Sequence, residues 1–384
     1  MSDSEERKKR TRWAIGGEER KRQANLLALA QSVRPIADAG DNWDTDPWLL
    51  GVPNGVLDLR TGTLREGQPA DRITFATNTP YDPNAECPLW DRTVAEIFSH
   101  DDELIRYADR YLGYSLTGDC REETLAFCWG GGANGKGTLM NTVGWLLGDY
   151  ADDLPFSALE MHERSSIPND IAKIVGKRFV TSSETGESKR LNEARVKALT
   201  GRDPMTARFL HREFFTFQPV AKFWLATNQK PIVRDTSVGF WRRIHLIPFT
   251  RSFADKPDLT LKDRLRDEAP GILARLVRGC LAWQREQLNP PAAVLEATRS
   301  YRADSLPLVD FLEERCVVEA GATATFGELF ADYCRWCLSR REARLTRREF
   351  IDALHERFAT DPRNSQRVTF VGVGLRDLWQ GSEL

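Results

Sequence analysis

The stretch Gly130-Gly-Gly-Ala-Asn-Gly-Lys-Gly-Thr138 decides the fold of this chain. A glycine run of this shape exposes consecutive backbone N–H groups around a phosphate and places one ammonium group, that of Lys136, beside it. The run follows an apolar segment of strand length at residues 124–129 and precedes residues 137–147, whose apolar spacing is that of a helix. Because a strand, a glycine turn and a helix N-terminus together form an anion site, the sequence predicts a phosphate-binding P-loop.

One position departs from the common P-loop pattern G-x-x-x-x-G-K-[ST]. A glycine follows the lysine, and the hydroxyl that would serve magnesium comes one residue later, at Thr138. An ordinary glycine-rich turn is the alternative interpretation. The residues expected to contact the nucleotide are Gly130, Gly131, Gly132, Ala133, Asn134, Gly135, Lys136, Gly137 and Thr138.

The composition is that of a globular protein with little net charge. The chain has 384 residues, 41% of them hydrophobic, and a formal net charge of −2, which excludes a generally basic nucleic-acid-binding protein and leaves any DNA contact to local patches. No segment has the length and apolarity of a membrane span or signal peptide, so we expect no membrane partner. Cys334 and Cys337 lack the second pair of a zinc site, and reduced thiols fit a cytoplasmic protein.

Four segments are predicted along the chain. Residues 1–45 form a charged, weakly ordered leader with one helix near residues 24–33, and residues 46–118 form a β-containing module with a hairpin turn at Asn54-Gly55. Residues 119–288 form the nucleotide-binding core, and residues 289–384 form a C-terminal domain. The predicted fold class is therefore α/β, built around a P-loop core.

Three further motifs end in side chains that phosphoryl transfer requires. Glu184 ends a strand-like run and would hold Mg²⁺ or orient the attacking water, with a surface carboxylate as the alternative. Asn228 ends a second buried-strand pattern and would contact the γ-phosphate or position water, unless it only caps a turn. Arg242 and Arg243 precede another strand and form either a solvated turn or, in a ring of subunits, a contact to the neighbour's γ-phosphate.

In their order and spacing these motifs resemble the superfamily 3 helicases, and most closely the helicase portion of phage and plasmid primase–helicases related to the poxvirus primase–helicase. Two positions depart from the family pattern, Arg202 in place of a second glycine and Ser237 in place of an acid before the arginine pair. Neither position touches the phosphate chemistry. The stretches that carry the resemblance over most of the chain are Pro53-Asn-Gly-Val-Leu-Asp-Leu-Arg-Thr-Gly62, Cys87-Pro-Leu-Trp90, Leu112-Gly-Tyr-Ser-Leu-Thr-Gly118, the glycine run, Ser183-Glu-Thr185, Lys197-Ala-Leu-Thr-Gly201, Thr227-Asn-Gln-Lys-Pro231 and Phe240-Trp-Arg-Arg-Ile244.

The resemblance implies an AAA+-like P-loop NTPase core that uses ATP and Mg²⁺ at a subunit interface. It assigns Lys136 and Thr138 to the Walker A motif, Glu184 to Walker B, Asn228 to the sensor position, and Arg243, or else Arg242, to the arginine finger. Thr138 and Glu184 are the residues expected near the metal.

The segment at residues 205–217 is typical of a β-hairpin with a basic tip, because His211 and Arg212 interrupt an apolar alternation. In the helicases that it resembles, a hairpin at this point projects into the ring channel and tracks the phosphate backbone of one strand. The resemblance implies that role for His211 and Arg212, with Arg208 beside them. A surface hairpin with ordinary charges is the alternative.

The C-terminal segment has the pattern of a winged-helix domain. Thr325-x-x-Glu328 and Thr346-x-x-Glu349 have the form of capping boxes, and each opens an apolar-periodic helix. Residues 367–375 then alternate like a pair of strands. Such a domain binds either DNA or protein, so its partner stays open.

The motifs and the resemblance together predict an ATP-dependent DNA helicase that forms a homo-hexameric ring on single-stranded or forked DNA. It would act in the replication of a phage, prophage, satellite or plasmid in the cytoplasm of a bacterial host. The roughly 50 residues before Trp48 are too few for the primase domain of the family, so no primer synthesis is expected of this chain. It would be either a stand-alone helicase subunit or the helicase portion of a longer product, and a separate primase and a replication initiator are possible partners. The alternatives are an ATP-dependent initiator or loader without processive unwinding and a small-molecule kinase.

Overall fold

The computed structural model of the chain describes residues 3–34, 36–38, 40, 42–161, 170–183, 190–209, 213–235, 237–255, 257–305, 308–340, 344–355, 357–361 and 368–377. They form two units, one of Met1–Thr45 with Arg72–Thr74, and one of Asp46–Asp71 with Phe75–Leu384. The first unit contains two helices, α1 (Asp3–Gly17) and α2 (Arg20–Ala30), where the sequence predicted one. Both helices expose apolar side chains, Trp13 and Leu26 among them.

The second unit opens with a three-stranded antiparallel sheet of β1 (Leu49–Val52), β2 (Gly55–Asp58) and β3 (Thr63–Arg65). Gly55 is the first residue of β2 rather than part of the turn. It has a φ of +146°, and a Cβ atom there would lie 2.3 Å from the carbonyl oxygen of Arg65, so only glycine fits. Two helices follow, α3 (Pro88–Ile97) and α4 (Asp102–Tyr114), and the Asp101 carboxylate caps the second.

The centre of the second unit is a five-stranded parallel sheet with the strand order β10-β4-β9-β6-β5. The hairpin of β7 and β8 stands apart from it. The strands of this region are β4 (Leu125–Trp129), β5 (Ala151–Asp153), β6 (Phe179–Ser183), β7 (Met205–Arg208), β8 (Phe214–Phe217), β9 (Lys222–Thr227) and β10 (Ile244–Pro248). Strand β4 lies between β9 and β10, although the next strand along the chain is β5. Ligands bind at the carboxyl edge of a parallel sheet beside such a change in strand order.

Helices and loops cover both faces of this sheet, as a parallel sheet requires. Alternate residues of β4 divide between two apolar clusters: Ala126 and Cys128 join one with α4 and α10, and Leu125 and Phe127 join the other. The helices of this region are α5 (Lys136–Leu147), α6 (Asp170–Lys173), α7 (Glu193–Thr200), α8 (Val238–Trp241), α9 (Leu261–Asp267) and α10 (Ala269–Glu286).

Residues 261–286, whose apolar spacing would also fit one long helix, form two helices, α9 and α10. The chain breaks at Glu268, two residues before a proline that occupies the first turn of α10. The Glu268 carboxylate accepts hydrogen bonds from the backbone N–H groups of Leu89 and Trp90 at 3.0 and 2.9 Å. The break thus lets Glu268 cap α3, a contact that periodicity alone does not reveal.

The C-terminal region has its own apolar cluster. Both predicted capping boxes are present: Thr325 and Glu328, like Thr346 and Glu349, exchange backbone-to-side-chain hydrogen bonds of 2.9 and 3.3 Å. The two strands predicted within residues 367–375 are present as β14 and β15, but they do not pair with each other: β14 pairs with β12 and β13, and β15 pairs with β11. The elements are α11 (Ala292–Asp304), α12 (Leu308–Arg315), β11 (Cys316–Val317), β12 (Thr323–Thr325), α13 (Phe326–Arg340), α14 (Arg347–His355), β13 (Ala359–Thr360), β14 (Thr369–Val371) and β15 (Gly374–Leu375).

Two buried cations bind carbonyl oxygens at the amino edge of the central sheet. Arg178, just before β6, donates to the carbonyls of Leu116 and Leu49 at 2.9 and 2.8 Å. Lys222, the first residue of β9, donates to the carbonyls of Thr117 and Val220, and burial lowers the pKa of its ammonium to about 8. These contacts attach the sheet to the segments that precede it.

Helices α4 and α10 cross at two glycines with their backbones in contact. A Cβ atom on Gly113 would lie 2.1 Å from the backbone nitrogen of Cys280, and one on Gly279 would lie 2.1 Å from the carbonyl oxygen of Asp109. Both obstacles are backbone atoms, so the helices must separate to admit a methyl group. The packing of α4 on the sheet depends on this crossing, because both helices contribute to the same apolar cluster.

Gly113→Ala is therefore expected to lower the free energy of unfolding by about 3 kcal/mol, since overpacking against backbone cannot relax through a rotamer change. Gly144→Ala is the matched control in α5, where the nearest atom to the new Cβ, Cε1 of Phe179, lies 3.9 Å away. That change is expected to raise stability by about 0.5–1 kcal/mol through helix propensity. Urea unfolding followed by circular dichroism measures both. Equal urea midpoints for Gly113→Ala and the wild type would contradict the close backbone contact of α4 and α10 at Gly113.

Candidate functional site

The glycine loop joins the end of β4 to the start of α5 at the carboxyl edge of the central sheet. Three of its residues have positive φ, namely Gly132 at +97°, Ala133 at +45° and Gly135 at +86°. A Cβ atom on Gly130 would lie 2.1 Å from Nδ2 of Asn134 and 2.2 Å from the carbonyl oxygen of Phe249, so the loop is closed tightly at its first residue. The predicted strand, loop and helix are confirmed as local structure.

Lys136 is the first residue of α5, and its side chain turns back under the loop. Its ammonium donates to the carbonyl oxygen of Gly130 at 2.6 Å, to Oδ1 of Asn134 at 2.9 Å and to Oδ1 of Asn228 at 3.1 Å. Only 6% of the residue is exposed, and burial lowers the pKa of the ammonium. All three acceptors are neutral, so the positive charge lies beside the loop without a carboxylate in contact among the described residues.

Two amide side chains meet at this ammonium. Asn134 comes from the loop itself and also donates through Nδ2 to the carbonyl oxygen of Phe249 at 3.1 Å. Asn228 follows β9 directly, and the register that pairs Trp129 with Thr227 brings it level with Gly130. The structure thus joins the predicted sensor residue to the predicted phosphate-binding lysine.

The N-terminus of α5 points its backbone N–H groups at the same place. Gly135 occupies the N-cap position and supplies no side-chain acceptor, so the first turn of the helix keeps donors for an anion. A Cβ atom on Gly135 would lie 2.5 Å from Cγ1 of Ile97, because α3 packs closely on the loop. The ammonium and the helix terminus together favour a phosphate group here.

A cleft of about 410 Å³ opens beside the loop. Thr138, the predicted metal-binding hydroxyl, lies in its wall together with Ala133 and Gly135. The rest of the wall comes from α3 and from the segment around α9, and consists of Leu89, Arg92, Thr93, Glu96, Ile97, Phe253, Pro257, Asp258, Leu261 and Arg264. This wall was not predictable from the sequence, because no motif links residues of α3 with residues more than 150 positions later.

Glu184, the predicted Walker B carboxylate, lies outside the described residues. The strand before it, β6, ends at Ser183, which pairs with Ala226 of β9. Among the described residues no group of three or more His, Cys, Asp or Glu side chains is arranged to hold a metal ion. The seven cysteines are free thiols.

The arginine pair lies at the opposite edge of the sheet from the glycine loop. Ile244 pairs with Leu125 at the start of the strands, and Pro248 pairs with Trp129 at their end, so Arg242 and Arg243 precede the amino edge. Five strand residues at ~3.3 Å each separate the two edges by about 16 Å. Neither guanidinium can reach the phosphate position of its own glycine loop.

Both guanidinium groups bind one carboxylate instead. Oε2 of Glu123 accepts from Nη2 of Arg242 at 2.7 Å and from Nη2 of Arg243 at 2.8 Å. The Arg243 side chain is only 12% exposed, whereas that of Arg242 is 61% exposed. The role of Glu123 was not predictable from the sequence, because nothing in the charged run before β4 indicates that this acid contacts residues 119 and 120 positions later.

The predicted hairpin is present as β7 and β8, but His211 and Arg212 lie outside the described residues. Arg208 ends β7 and pairs with Phe214 of β8, with its guanidinium carbon 4.8 Å from the centre of the phenyl ring. Both side chains lie on the exposed face of the hairpin, while Phe215 and Phe217 pack against the core. Within the described parts of the chain, no helix is long and apolar enough to cross a membrane.

Two family models match the chain. One is described as D5 N terminal like and matches residues 2–99, and the other, a family of unknown function (DUF5906), matches residues 128–243. The second match begins within β4 and ends at Arg243, so it includes the glycine loop, Asn228 and the arginine pair.

Curated relatives come from viruses. "Putative helicase L207/L206" of Acanthamoeba polyphaga mimivirus is 29% identical over 302 residues, which cover 72% of this chain and 31% of that protein. "Putative primase C962R" of African swine fever virus is 31% identical over 224 residues, 56% of this chain and 23% of that protein. "Putative helicase 022R" of Frog virus 3 is 24% identical over 399 residues, 81% of this chain and 41% of that protein.

The chain therefore spans less than half of the length of each of these relatives. They are proteins of viruses that infect eukaryotes, and they lend no support to the bacterial host expected from the sequence.

Among solved structures, the apo C-terminal region of NrS-1 is similar with a TM-score of 0.48 and 10% identity over 77% of each chain. The family matches and the viral relatives confirm the predicted resemblance: the chain matches the D5 N terminal like and DUF5906 family models and is similar to viral proteins named putative helicase and putative primase.

Proposed function

We propose that the protein is an ATP-dependent DNA helicase that moves along single-stranded DNA during the replication of a viral or other mobile genome. The observation that carries the proposal is the buried ammonium of Lys136, bound to neutral oxygens at the N-terminus of α5. The names of the viral relatives, helicase and primase, support the same class of function. ATP and Mg²⁺ are the proposed cofactors.

The residues around the loop fit a nucleoside triphosphate. Its phosphates would replace the neutral oxygens now bound to Lys136 and accept from the first N–H groups of α5. The neighbouring cleft of about 410 Å³ has the size of a small-molecule site, and Leu89, Ile97 and Phe253 supply apolar surface for a base. Bound magnesium would neutralise phosphate charge, with Thr138 and Glu184 proposed as its protein contacts.

The roles of the chain's own groups follow from their positions. Lys136 would hold the β- and γ-phosphates, and Asn228 would exchange its bond to that ammonium for a bond to the γ-phosphate or the attacking water. The contact between the two residues couples the phosphate site to the end of β9. The arginines at the other edge of the sheet require a second subunit, which is why we propose a ring, with a hexamer as the expected number.

Lys136→Ala is expected to reduce ATP hydrolysis by at least about 100-fold, because it removes the buried ammonium beside the loop. Lys9→Ala, at an exposed lysine of α1, is the matched control and should hydrolyse ATP like the wild type. Steady-state phosphate release measures the rates, and circular dichroism checks the fold. Undiminished turnover by a folded Lys136→Ala protein would refute the assignment of the phosphate site.

Strand separation of a forked DNA in the presence of ATP distinguishes the helicase from the other functions. A helicase separates the strands, and Lys136→Ala does not. An initiator or loader would hydrolyse ATP on DNA without separating the fork, and a small-molecule kinase would show no dependence on DNA.

The exposed face of the β7–β8 hairpin supports the contact with single-stranded DNA. Arg208 stands over one side of the Phe214 ring, whose residue is 51% exposed, and Phe209 near the tip is 45% exposed. An aromatic ring accepts a stacked base whatever its identity, and an adjacent guanidinium binds the phosphate backbone. Arg208, His211 and Arg212 are the proposed cationic contacts of the hairpin.

Phe214→Ala and Arg208→Ala are expected to weaken single-strand binding in two different ways. Loss of stacking should lower the affinity about 10-fold at every salt concentration, whereas loss of the guanidinium should also make the salt dependence shallower, by about 0.7 in the slope of log K against log salt. Thr216→Ala on the same face is the control. Fluorescence anisotropy with labelled oligonucleotides gives both quantities. Wild-type affinity in both variants would show that the exposed face of the hairpin does not contact single-stranded DNA.

The C-terminal region is proposed as a winged-helix unit that contacts DNA or a partner such as a primase or replication initiator. Two of its arginines already have partners within the chain: the Arg347 guanidinium lies 4.9 Å from the Phe326 ring, and Arg357 donates to the carbonyl oxygen of Ala303. Arg348 forms a 4.0 Å ion pair with Asp352 one turn along α14, and because 92% of its side chain is exposed it is more open to an external phosphate than Arg347.

A further inference from the structure

The contact of two guanidinium groups with a single carboxylate oxygen is unusual, because each brings a full positive charge to the same atom. Glu123 lies at the end of the turn before β4 and has a φ of +52°, a conformation that a residue with a side chain adopts at a cost. Its N–H donates to the carbonyl oxygen of Cys120, which fixes the turn. The carboxylate is thereby held in front of Arg242 and Arg243.

The two arginines differ in how firmly they are held. The carbonyl oxygen of Arg243 accepts from the backbone N–H of Leu125 at 2.7 Å, which makes its backbone part of the sheet edge. Its guanidinium also donates to the carbonyl oxygen of Gly239, and its Nε is buried without a partner among the described groups. Arg242 is bound through its guanidinium to Glu123 and is otherwise largely exposed.

An exposed guanidinium can leave the carboxylate at small cost, and Glu123 would then still be paired with Arg243. Departure of Arg242 therefore breaks only its contact with Glu123, whereas departure of Arg243 would also break its hydrogen bond to the carbonyl oxygen of Gly239 and displace a side chain that is only 12% exposed. A phosphate of a neighbouring subunit would compete with Glu123 for Arg242 through the same kind of charge-assisted hydrogen bond. The arrangement holds Arg242 ready for an external anion while the other arginine stays fixed.

We propose that Glu123 is a positioning residue, that Arg243 is its fixed partner, and that Arg242 is the guanidinium that reaches the nucleotide of a neighbouring subunit. The inference rests on the proposed ATP hydrolysis in a ring. It reverses the order implied by the resemblance, which assigned that role first to Arg243. Glu123 contributes by aiming Arg242 and by fixing the arginine turn against the start of β4.

The test is ATP hydrolysis by single variants and by mixtures of variants. Arg242→Ala is expected to lower kcat about 1000-fold with little change in KM, because its own glycine loop is intact. Glu123→Gln is expected to lower kcat about 10- to 100-fold, since the guanidinium is misplaced rather than removed. Glu122→Gln is the matched control: the neighbouring acid accepts from Nε1 of Trp283 at 2.7 Å, a bond that an amide oxygen also accepts.

Mixing distinguishes positioning across an interface from a defect within one subunit. Glu123→Gln subunits keep an intact loop, and Lys136→Ala subunits keep intact arginines, so mixed rings contain interfaces with both. Activity above that of either variant alone supports the inference. Verified mixed oligomers without recovery would overturn it, because the Glu123 defect would then lie within its own subunit.

Two further results would also overturn it: wild-type kcat in Glu123→Gln, or wild-type kcat in Arg242→Ala. Arg242→Ala changes an exposed side chain and is expected to fold, so its kcat tests the inference even where Glu123→Gln fails to fold. Wild-type protein without DNA-stimulated ATP hydrolysis would instead refute the proposed function, and this inference with it. Failure of the proposed function and failure of this inference alone therefore give different results.

Discussion

A buried ammonium that contacts only neutral oxygens among the described residues is the constraint on which the rest of this structure depends. Placing the Lys136 charge under the glycine loop requires three neutral acceptors, and they come from the loop and from the end of β9. Desolvation makes this charge costly in the absence of an anion and makes a phosphate at the same place correspondingly favourable. The parallel sheet holds the acceptors together, because the register of β4 with β9 brings Asn228 level with Gly130.

The charged groups of the candidate site lie at two opposite edges of the central sheet. The carboxyl edge carries the ammonium, the helix terminus and the cleft, whereas the amino edge carries the arginine pair and Glu123. No rearrangement within one subunit brings the two edges together, since the length of the strands separates them. Under the proposed function, each complete site therefore includes groups from two subunits, and Arg242 rather than Arg243 extends toward the neighbour.

Much of the local structure around the candidate site was predictable from the sequence, because its elements follow one another along the chain. Glycines, a strand and an apolar-periodic helix follow one another within residues 124–147, and Asn228 was placed correctly because it ends a buried strand. The capping boxes were predictable for the same reason. Contacts between distant residues were not: the break at Glu268 serves α3, the cleft joins α3 to residues around α9, and β14 and β15 enter different sheets.

The most direct test of the central claim is a crystal structure of the chain with Mg²⁺ and a non-hydrolysable ATP analogue. The account predicts phosphate oxygens within hydrogen-bond distance of the Lys136 ammonium and of the first N–H groups of α5, with Asn228 released from the ammonium. The base is predicted in the cleft between α3 and Phe253. A loop that stays closed on Lys136 at saturating nucleotide, or a nucleotide bound elsewhere on the chain, would contradict the account.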